Sequence, residues 1–365
     1  MQACKPAVSP VPATDLEQMP RASIIVVNYN GREYLTQCLC SLLDEDHRDY
    51  EIIVVDNAST DGSAEHVEER FPEVTVIRNE TNYGFGQGNN LAVQRANGEY
   101  LAFLNPDATV EPGWLKALME ALQTDPQAGL ATSKILLLAD PGRINTCGND
   151  VHFTGLTLCR GMGAGRHAFA ELEEVSAVSG AAFVARKDVF ETLGGFDESF
   201  FLYMEDTDLS LRARLAGCRC LYAPQSVVHH DYSLHFGPRK TFYQERNRYL
   251  MLLKCLRWRT LLVLLPALVM AEAVTWGFVL LRERRRAANK LRAYAWIVQH
   301  WGQVMESRRR TQALRRVRDR DLIAAATHRL DFEQIGNRVA ARLAHLLFDL
   351  PFFVLHRLAL GLIRW

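Results

Sequence analysis

The chain has 365 residues, of which 48% are hydrophobic and 23% charged. This length accommodates one large domain with an appendage or two modest domains, and the hydrophobic share excludes a chain that is disordered throughout. Lys and Arg number 42 and Asp and Glu number 42, so the formal net charge is +0 and we expect no nucleic-acid partner. The 8 cysteines lack the Cys-x-x-Cys spacing of zinc and redox sites, so we predict that all are reduced.

Short apolar strands alternate with helices in the first hundred residues. Strands are predicted at 23–28, 51–56, 74–78 and 100–104, helices at 32–43 and 62–70, and a loop rich in Asn and Gly at 79–90 that leads into a helix ending near 96. The strands are rich in β-branched residues, as in sheets buried on both faces. This alternation predicts an α/β fold with a mostly parallel, Rossmann-like central sheet, preceded by a flexible tail at 1–21.

Each predicted strand is followed by Asn or Asp. The residues at these strand ends include Asn28, Asn30, Asp56, Asn82, Asn105 and Asp107. Because the carboxyl ends of parallel strands meet at one edge, where ligands bind in such sheets, we predict a single polar site there. Such residues also cap helices and turns, an alternative that explains any one of them but explains the whole set poorly.

Residues 108–235 mix helices with less regular strands. A helix is predicted at 114–123, a strand at 181–186 and a short helix at 207–216, and the chain reads as helical from 242 onward. Within this part, His229 and His230 follow an apolar pair. A lone histidine is usually structural, but a pair at a strand end is a candidate metal ligand.

Two acidic stretches are candidates for chemistry. Asp107, in Asn105-Pro106-Asp107, directly follows the fourth strand and can hold Mg²⁺ or Mn²⁺, although Asn-Pro-Asp alone is more typical of a turn. The stretch 196–209 contains Asp197, Glu205 and Asp206. These carboxylates either complement the positive end of a helix or include a general base whose basicity is raised by acidic neighbours.

Six motifs in order carry a resemblance to a known family. They are residues 23–31, 54–63, 82–90, 103–107, 179–186 and 194–209. Together they resemble the inverting family 2 glycosyltransferases with the GT-A fold, and within that family the bacterial rhamnosyltransferase-like branch. The resemblance implies a GT-A domain over 22–240 and a helical membrane-proximal region over 241–365.

The resemblance also implies a role for each matching position. It assigns nucleotide-sugar binding to Asn28, Asn30, Asp56, Asn82, Gly84, Asn89 and Asn105, metal binding to Asp107 and His230, catalysis to Asp206 with Glu205 in support, and the acceptor side to Gly180, Asp197 and Arg246. This branch has Asn-Pro-Asp where the family usually has Asp-x-Asp, so Asn105 would be the weaker metal ligand.

The implied activity is transfer of rhamnose or a similar hexose, with inversion, in the synthesis of cell-surface polysaccharide. The implied donor is a dTDP-, UDP- or GDP-linked sugar, the cofactor Mg²⁺ or Mn²⁺, and the acceptor a lipid-linked saccharide at the cytoplasmic face of the cell membrane. Partners are therefore the sugar nucleotide, the acceptor and the inner-membrane surface, and self-association into a homo-oligomer stays open.

The C-terminal third contains an apolar segment at 261–281 interrupted by Glu272 and followed by arginines. Its length suffices for a spanning helix, but a charge near the centre of such a helix costs about 2.5–3.5 kcal/mol on insertion scales. We favour helices that lie in or on the cytoplasmic leaflet. A soluble helical cap packed on the catalytic domain or on a second subunit is the alternative.

Two other functions are alternatives to sugar transfer. A dinucleotide-dependent oxidoreductase would use Gly84, Gly86 and Gly88, but their spacing is not Gly-x-Gly-x-x-Gly and they follow the third strand instead of the first. A catalytically inactive sugar-nucleotide-binding protein would not need Asp107 and Asp206, both of which are present.

Overall fold

The computed structural model describes residues 21–232, 239–282, 284–334 and 338–365. The predicted tail at 1–21 therefore lies, except for Arg21, outside the described residues. The predicted boundary at 240 coincides with the first residue of a helix, Lys240–Cys255.

The first half of the sheet is parallel, as the strand–helix alternation predicted. Its elements are β1 (Ala22–Asn28), α1 (Arg32–Leu43), β2 (Tyr50–Asp56), α2 (Ser63–Arg70), β3 (Thr75–Arg78), α3 (Gly84–Val93) and β4 (Tyr100–Leu104). The strands lie in the order β4-β1-β2-β3, all parallel. All residues of β1 and β4 are buried, since helices cover both faces of the sheet.

One local prediction in this half is wrong. The segment 79–90 does not stay a loop to its end, because α3 begins at Gly84. The Asn82 side chain accepts a hydrogen bond from the Gly84 amide at 2.8 Å, which satisfies a backbone donor at the start of the helix.

The second half of the sheet is mixed. Its elements are β5 (Ala108–Val110), α4 (Trp114–Thr124), β6 (Ala128–Leu137), β7 (Asp140–Thr146), β8 (Asn149–Val151), β9 (Thr157–Cys159), β10 (Glu173–Glu174), β11 (Ala182–Arg186), α5 (Lys187–Thr192), a 3₁₀ turn (Glu198–Phe200), α6 (Glu205–Leu215) and β12 (Arg219–His230). The full order is β10-β12-β6-β11-β4-β1-β2-β3, with β5 on β12 and β7 on β6. β11 runs antiparallel to β4, so it begins where β4 ends.

The C-terminal part is helical. Its elements are α7 (Lys240–Cys255), α8 (Trp258–Arg282), a 3₁₀ turn (Arg284–Arg286), α9 (Ala287–Gln299), α10 (Trp301–Ala313), α11 (Asp319–Ala324), a 3₁₀ turn (Phe332–Gln334) and α12 (Arg338–Leu362). By length and composition, α8 and α12 are each long and apolar enough to cross a membrane. This is the helical extension that the sequence predicted.

Among the described residues, the cysteines agree with the predicted reduced state except for Cys40. Cys38, Cys147, Cys159, Cys218, Cys220 and Cys255 are free thiols, and most are buried. Cys40 is disulfide-bonded, so the prediction that all cysteines are reduced is wrong there.

Candidate active site

The ends of β1 and β2 form a rigid polar floor. Asn28 and Asp56 lie side by side in the parallel register, and the Asn28 amide donates to Asp56 Oδ1 at 3.1 Å. Asp56 Oδ2 accepts from the Ser59 backbone N–H at 3.0 Å. Both side chains are buried. A side chain at Gly31 would place its Cβ 2.5 Å from Asn28 Oδ1, so this glycine leaves room for the floor.

Asn30 ties together the two loops that follow these strands. Its Oδ1 accepts from the Thr60 N–H at 2.8 Å, and its own N–H donates to Ser59 Oγ at 2.8 Å. The residue has φ +54°, a left-handed conformation that asparagine tolerates better than most residues. Asn30 is exposed, so it lies at the rim of the floor.

Gly84 and Asn89 of α3, both predicted to bind the nucleotide sugar, make different contacts within the protein. Gly84 has φ +78°, and a Cβ there would come within 2.2 Å of the Phe201 carbonyl oxygen, so only glycine permits this approach. The Phe85 N–H donates to the same oxygen at 2.8 Å. Asn89 is buried, and its amide donates to the Phe85 carbonyl within its own helix at 2.9 Å, so its predicted contact with the nucleotide stays a prediction.

Asp107 and His230 come together because β5 and β12 pair. In that register His230 lies opposite Ala108, the neighbour of Asp107. His230 Nε2 lies 3.3 Å from Asp107 Oδ1 and 3.4 Å from the Asn105 amide nitrogen, and its Nδ1 lies 3.2 Å from Asn145 Oδ1. Asp107 Oδ1 is buried and has no hydrogen-bond donor. Both residues were predicted from the sequence as metal ligands.

The adjacent histidine has a different environment. His229 Nε2 lies 2.8 Å from Glu111 Oε1, and the same carboxylate receives the Arg166 guanidinium at 2.9 Å. Successive side chains of a strand point to opposite faces, so only one of the two histidines can face Asp107. That residue is His230.

The Asp206 carboxylate is held at the start of α6 by several donors. Oδ2 accepts from the Gly180 N–H at 2.7 Å and from the Asn149 amide at 3.3 Å, and Oδ1 accepts from the Thr207 N–H at 2.6 Å. Burial raises the pKa of Asp206, and the backbone donors partly offset that rise. A Cβ at residue 180 would lie 3.2 Å from Asp206 Oδ2, so glycine keeps this side of the carboxylate uncrowded.

Glu205 precedes Asp206 and is almost fully buried. Its Oε2 has no hydrogen-bond partner. Burial, and next the neighbouring Asp206 carboxylate, raise the pKa of Glu205. Both effects favour the protonated form of Glu205 while Asp206 is ionised.

Two consecutive residues, Gly180 and Ala181, connect Asp206 to the Asn105-Pro106-Asp107 segment. The Asn105 N–H donates to the Ala181 carbonyl at 2.9 Å, and the preceding residue, Gly180, donates its N–H to Asp206. Since β11 begins where β4 ends, Asp206 lies at the same edge of the sheet as Asp107. This arrangement, a candidate cation site beside a half-buried carboxylate, is suited to stabilising a leaving phosphate and removing a proton.

Two predicted acceptor-side residues are engaged in the protein's own contacts. Asp197 forms a buried ion pair with Lys254, and although burial opposes it, that ammonium group lowers the pKa of Asp197. The Arg246 guanidinium donates to the carbonyls of Ser199 at 2.6 Å and Phe200 at 2.9 Å. Both residues hold the segment that precedes Glu205, so acceptor contact through these side chains stays a prediction.

Sequence reasoning missed three residues that support the site. Asn145 faces His230, Asn149 donates to Asp206, and the Asn247 amide contacts three carbonyls of the segment 200–203. Asn145 and Asn149 belong to short strands that the apolar pattern did not reveal. Asn247 directly follows the predicted Arg246, and this adjacency is the signal in the sequence that points to it.

Comparison with known proteins gives the family. The sequence profile described as "Glycosyl transferase family 2" matches residues 23–194. N-acetylglucosaminyl-diphospho-decaprenol L-rhamnosyltransferase of Mycobacterium tuberculosis strain H37Rv is 28% identical over 240 residues, which are 57% of this chain and 75% of the relative. O-antigen biosynthesis protein RfbC of Myxococcus xanthus is 31% identical over 232 residues, 58% of this chain but 17% of the relative.

Solved structures support the same fold. Staphylococcus aureus TarS 1–349 in complex with UDP-GlcNAc matches with a TM-score of 0.53 at 17% identity, covering 92% of this chain and 90% of that one. GalNAc-T7 with UDP, GalNAc and Mn²⁺ matches with a TM-score of 0.55 at 20% identity, covering 65% of this chain and 48% of that one. By its relatives and its fold, this chain is a glycosyltransferase with the GT-A fold, and its residues 23–194 match the family 2 profile, as its motifs predicted.

Proposed function

We propose that this chain transfers a hexose, with L-rhamnose the first candidate, from a nucleoside-diphosphate sugar to a lipid-linked saccharide, with inversion at the anomeric carbon. The observation that carries the proposal is the position of Asp206: a half-buried carboxylate, fixed by the Gly180 and Thr207 N–H groups, at the sheet edge where Asp107 and His230 meet. The named activity of the mycobacterial relative supports rhamnose and a polyprenol-linked acceptor.

The donor's nucleoside is placed against the floor made by Asn28 and Asp56. Asp56 presents a carboxylate whose orientation is fixed from two sides, by the Asn28 amide and the Ser59 N–H. Asn28 Oδ1 is buried without a partner, so it is available to a ligand N–H or O–H. A preorganised acceptor pair of this kind suits the N–H groups of a pyrimidine or purine base.

The residues near Asp107 fit a divalent cation. With Nδ1 donating to Asn145 Oδ1, His230 Nε2 presents a lone pair, and Asp107 Oδ1 beside it also lacks a donor. Two acceptors that face each other at 3.3 Å suit a shared cation, which we propose to be Mg²⁺ or Mn²⁺. When bound, the cation would neutralise charge on the departing diphosphate.

Among the described ranges, no three His, Cys, Asp or Glu side chains are grouped to hold a metal. The proposed site therefore consists of Asp107, His230 and, more weakly, Asn105. Mg²⁺ is commonly held by one or two carboxylates together with substrate phosphates, so a small protein ligand set matches a cation that arrives with the donor. The Mn²⁺ bound in the GalNAc-T7 structure supports this choice of metal.

Asp206 acts as the general base. Its raised pKa makes the carboxylate more basic than an exposed aspartate, which helps it accept the proton of the acceptor hydroxyl as that oxygen attacks the anomeric carbon. The Gly180 and Thr207 N–H groups orient the carboxylate throughout. A single displacement, with no covalent intermediate on the protein, inverts the anomeric centre.

Because sugar nucleotides are made in the cytoplasm, we place the enzyme at the cytoplasmic face of the cell membrane, in the synthesis of cell-surface polysaccharide.

The three glycines of α3 favour transfer over nicotinamide chemistry. A Cβ at Gly84, Gly86 or Gly88 would meet Phe201, Phe196 or Val27, respectively, so these glycines allow close packing inside the protein.

The test uses Asp206→Asn with a panel of labelled dTDP-, UDP- and GDP-sugars and a polyprenyl-diphosphate-linked saccharide. We expect the variant to bind the donor as the wild type does and to lose transfer by roughly 10²–10⁴-fold, the usual contribution of general base catalysis. Asp125→Asn is the control, since Asp125 pairs with Arg219 outside the site. Full transfer by Asp206→Asn removes this residue from the mechanism, and donor binding without transfer by the wild type indicates an inactive sugar-nucleotide-binding protein.

A further inference from the structure

Helix α12 presents a continuous apolar stripe outside the protein. The exposed apolar residues along it are Val339, Leu343, Leu346, Leu347, Leu350, Phe353, Val354, Leu358 and Leu362. They recur every three or four residues, which places them on one side of the helix. Leu346 is 79% exposed, whereas Ala341, Phe352 and Ala359 on the other side are buried.

Helix α8 presents a second stripe of the same kind. Leu262, Leu265 and Val269 are exposed, and Leu264, Ala267, Leu268 and Ala271 are buried. The two helices run antiparallel, since Trp365 near the end of α12 donates its indole N–H to Thr260 Oγ1 near the start of α8 at 2.7 Å. Their buried sides form one shared core, so both stripes face away from it. We name the two stripes together the α8/α12 face.

The contacts of Glu272, a charged residue within α8, show which side of this helix packs on protein. Glu272 is paired with Arg248, with Lys290 at 2.9 Å and with the Tyr294 hydroxyl at 2.6 Å. Arg248 and Lys290 are almost completely buried. One flank of α8 is thus fixed to α7 and α9 by desolvated ion pairs, which are costly to separate. A helix fixed to protein along one flank in this way exposes only its other flank to lipid, which favours an in-plane position of α8 over a span.

Basic residues border the α8/α12 face at both ends. Beside Leu358 and Leu362 lies a cavity of about 370 Å³ lined by Arg318, Arg320 and Arg364 together with Leu360 and Gly361. At the far end of α8, Arg282, Arg284 and Arg285 are exposed, and Arg286 is half-buried. Arginine is suited to phosphate through its planar fork of donors, and basic residues beside an apolar surface are typical of proteins that lie on anionic membranes.

Aromatic residues complete the border. Trp258 at the start of α8 is 45% exposed, and its ring lies 6.1 Å from that of Trp301, which is 44% exposed. Tryptophan is enriched at the level of lipid headgroups, where one part of the ring is apolar and the other is wet. The apolar stripes, the arginines at their ends and the tryptophans at the start of α8 and α10 together have the chemistry of a lipid–water interface.

We propose that the α8/α12 face docks on an anionic phospholipid surface with both helices lying in the plane of the membrane. Arg320 and Arg364 receive a headgroup phosphate in the cavity that they line together with Arg318, whose guanidinium is paired with Asp321. Leu215 of α6 belongs to the same apolar core as the two helices, so the docking surface and the helix that begins with Glu205 and Asp206 are one packed unit. The biological meaning of this surface depends on the proposed lipid-linked acceptor, but the binding itself does not.

The experiment is flotation of the full chain with vesicles, without donor or acceptor. We compare vesicles of phosphatidylcholine alone with vesicles that contain one third phosphatidylglycerol. The first variant is Leu346→Glu/Leu350→Glu, the second is Arg320→Glu/Arg364→Glu, and the control is Leu172→Glu, a leucine that is 43% exposed outside the α8/α12 face. Circular dichroism establishes that each variant is folded.

We expect the wild type and the control to float with anionic vesicles and to bind phosphatidylcholine at least tenfold less well. Both double variants should bind anionic vesicles at least tenfold less well than the control. Sodium carbonate at high pH should release the bound wild type, since an in-plane protein is extracted and a spanning protein is not.

Retention after carbonate treatment, or unchanged binding by the leucine variant, would overturn the inference. A second contrary outcome is that the wild type binds no vesicles and is a dimer in sedimentation velocity, whereas the leucine variant is a monomer. The α8/α12 face would then join two copies of the chain. Transfer to a soluble acceptor analogue by a protein that does not bind vesicles refutes only this inference. Vesicle binding without any transfer refutes only the proposed function.

Discussion

Asn247 should position the catalytic carboxylate without touching any substrate. Its amide nitrogen lies 3.1 Å from the Phe200 carbonyl oxygen, 3.0 Å from that of Leu202 and 2.7 Å from that of Tyr203. The side chain is fully buried, so these carbonyls have no water to replace it. Asp206 lies only three residues after Tyr203, so the backbone conformation of the segment 200–204 determines where the Asp206 carboxylate points.

The segment is strained, and this makes the contact with Asn247 necessary. Phe201, Tyr203 and Met204 have φ of +58°, +68° and +68°, respectively, although none is glycine. Left-handed residues of this kind cost about 1–3 kcal/mol each. The Phe200 carbonyl would keep its Arg246 donor, but those of Leu202 and Tyr203 would lose the Asn247 donor, and an unsatisfied buried carbonyl costs about 1–3 kcal/mol. We therefore expect Asn247→Ala to destabilise the catalytic conformation of the segment by about 2 kcal/mol, which lowers kcat roughly 30-fold.

The assay measures kcat, the donor KM and thermal unfolding on the same preparations. Gln312→Ala is the matched control, because the Gln312 amide also donates to two carbonyls, those of Lys254 at 2.6 Å and Cys255 at 3.0 Å, outside the segment 200–204. Both variants should lose similar stability, and only Asn247→Ala should lose kcat with little change in donor KM. Equal kcat in the two variants would refute a positioning role and leave Asn247 as an ordinary structural residue.

Two further predictions concern the charged groups of the site. Since its raised pKa keeps Glu205 protonated near neutral pH, Glu205→Gln should retain most transfer there, and a loss as large as that of Asp206→Asn in a pH–rate profile would contradict this. The folded state holds that proton more tightly than the unfolded chain, so the free energy of unfolding of the wild type should fall as pH rises from about 4.5 through the raised pKa, and denaturant titrations should show a smaller fall in Glu205→Gln. His230→Ala should weaken Mn²⁺ binding in calorimetry with the donor diphosphate present by roughly 10–100-fold, whereas His229→Ala should not, and equal affinity in both variants would remove His230 from the metal site.

The sequence predicted the parts of the fold that depend on local pattern. The apolar β-branched runs specify β1 to β4, and the polar residues that follow them meet at one edge because parallel strands end together. Asn28 and Asp56 were predicted there and lie in contact. The start of α3 was missed because its glycines and asparagines have low helix propensity, and packing of Gly84 against Phe201 overrides that propensity.

The sequence could not predict the contacts that long-range pairing creates. Asp107 and His230 are 123 positions apart, and only the pairing of β5 with β12 makes them neighbours. The choice between His229 and His230 depends on which strand face meets β5, a question of register that the strand's own residues do not answer. Asn145 and Asn149 lie on short strands that take their positions from their neighbours β6 and β9.

Glu272 shows how a distant partner changes the meaning of a residue. Within the apolar run of α8, a carboxylate argues against a stable membrane helix because a charge in lipid is costly. In the structure, Arg248 of α7 and Lys290 of α9 neutralise Glu272 on the flank of α8 that faces protein, and the exposed side of the helix stays apolar. The charge therefore does not weaken the case for a membrane surface. It fixes the rotation of α8 about its own axis, and that rotation directs Leu262, Leu265 and Val269 outward, where the proposed docking on lipid requires them.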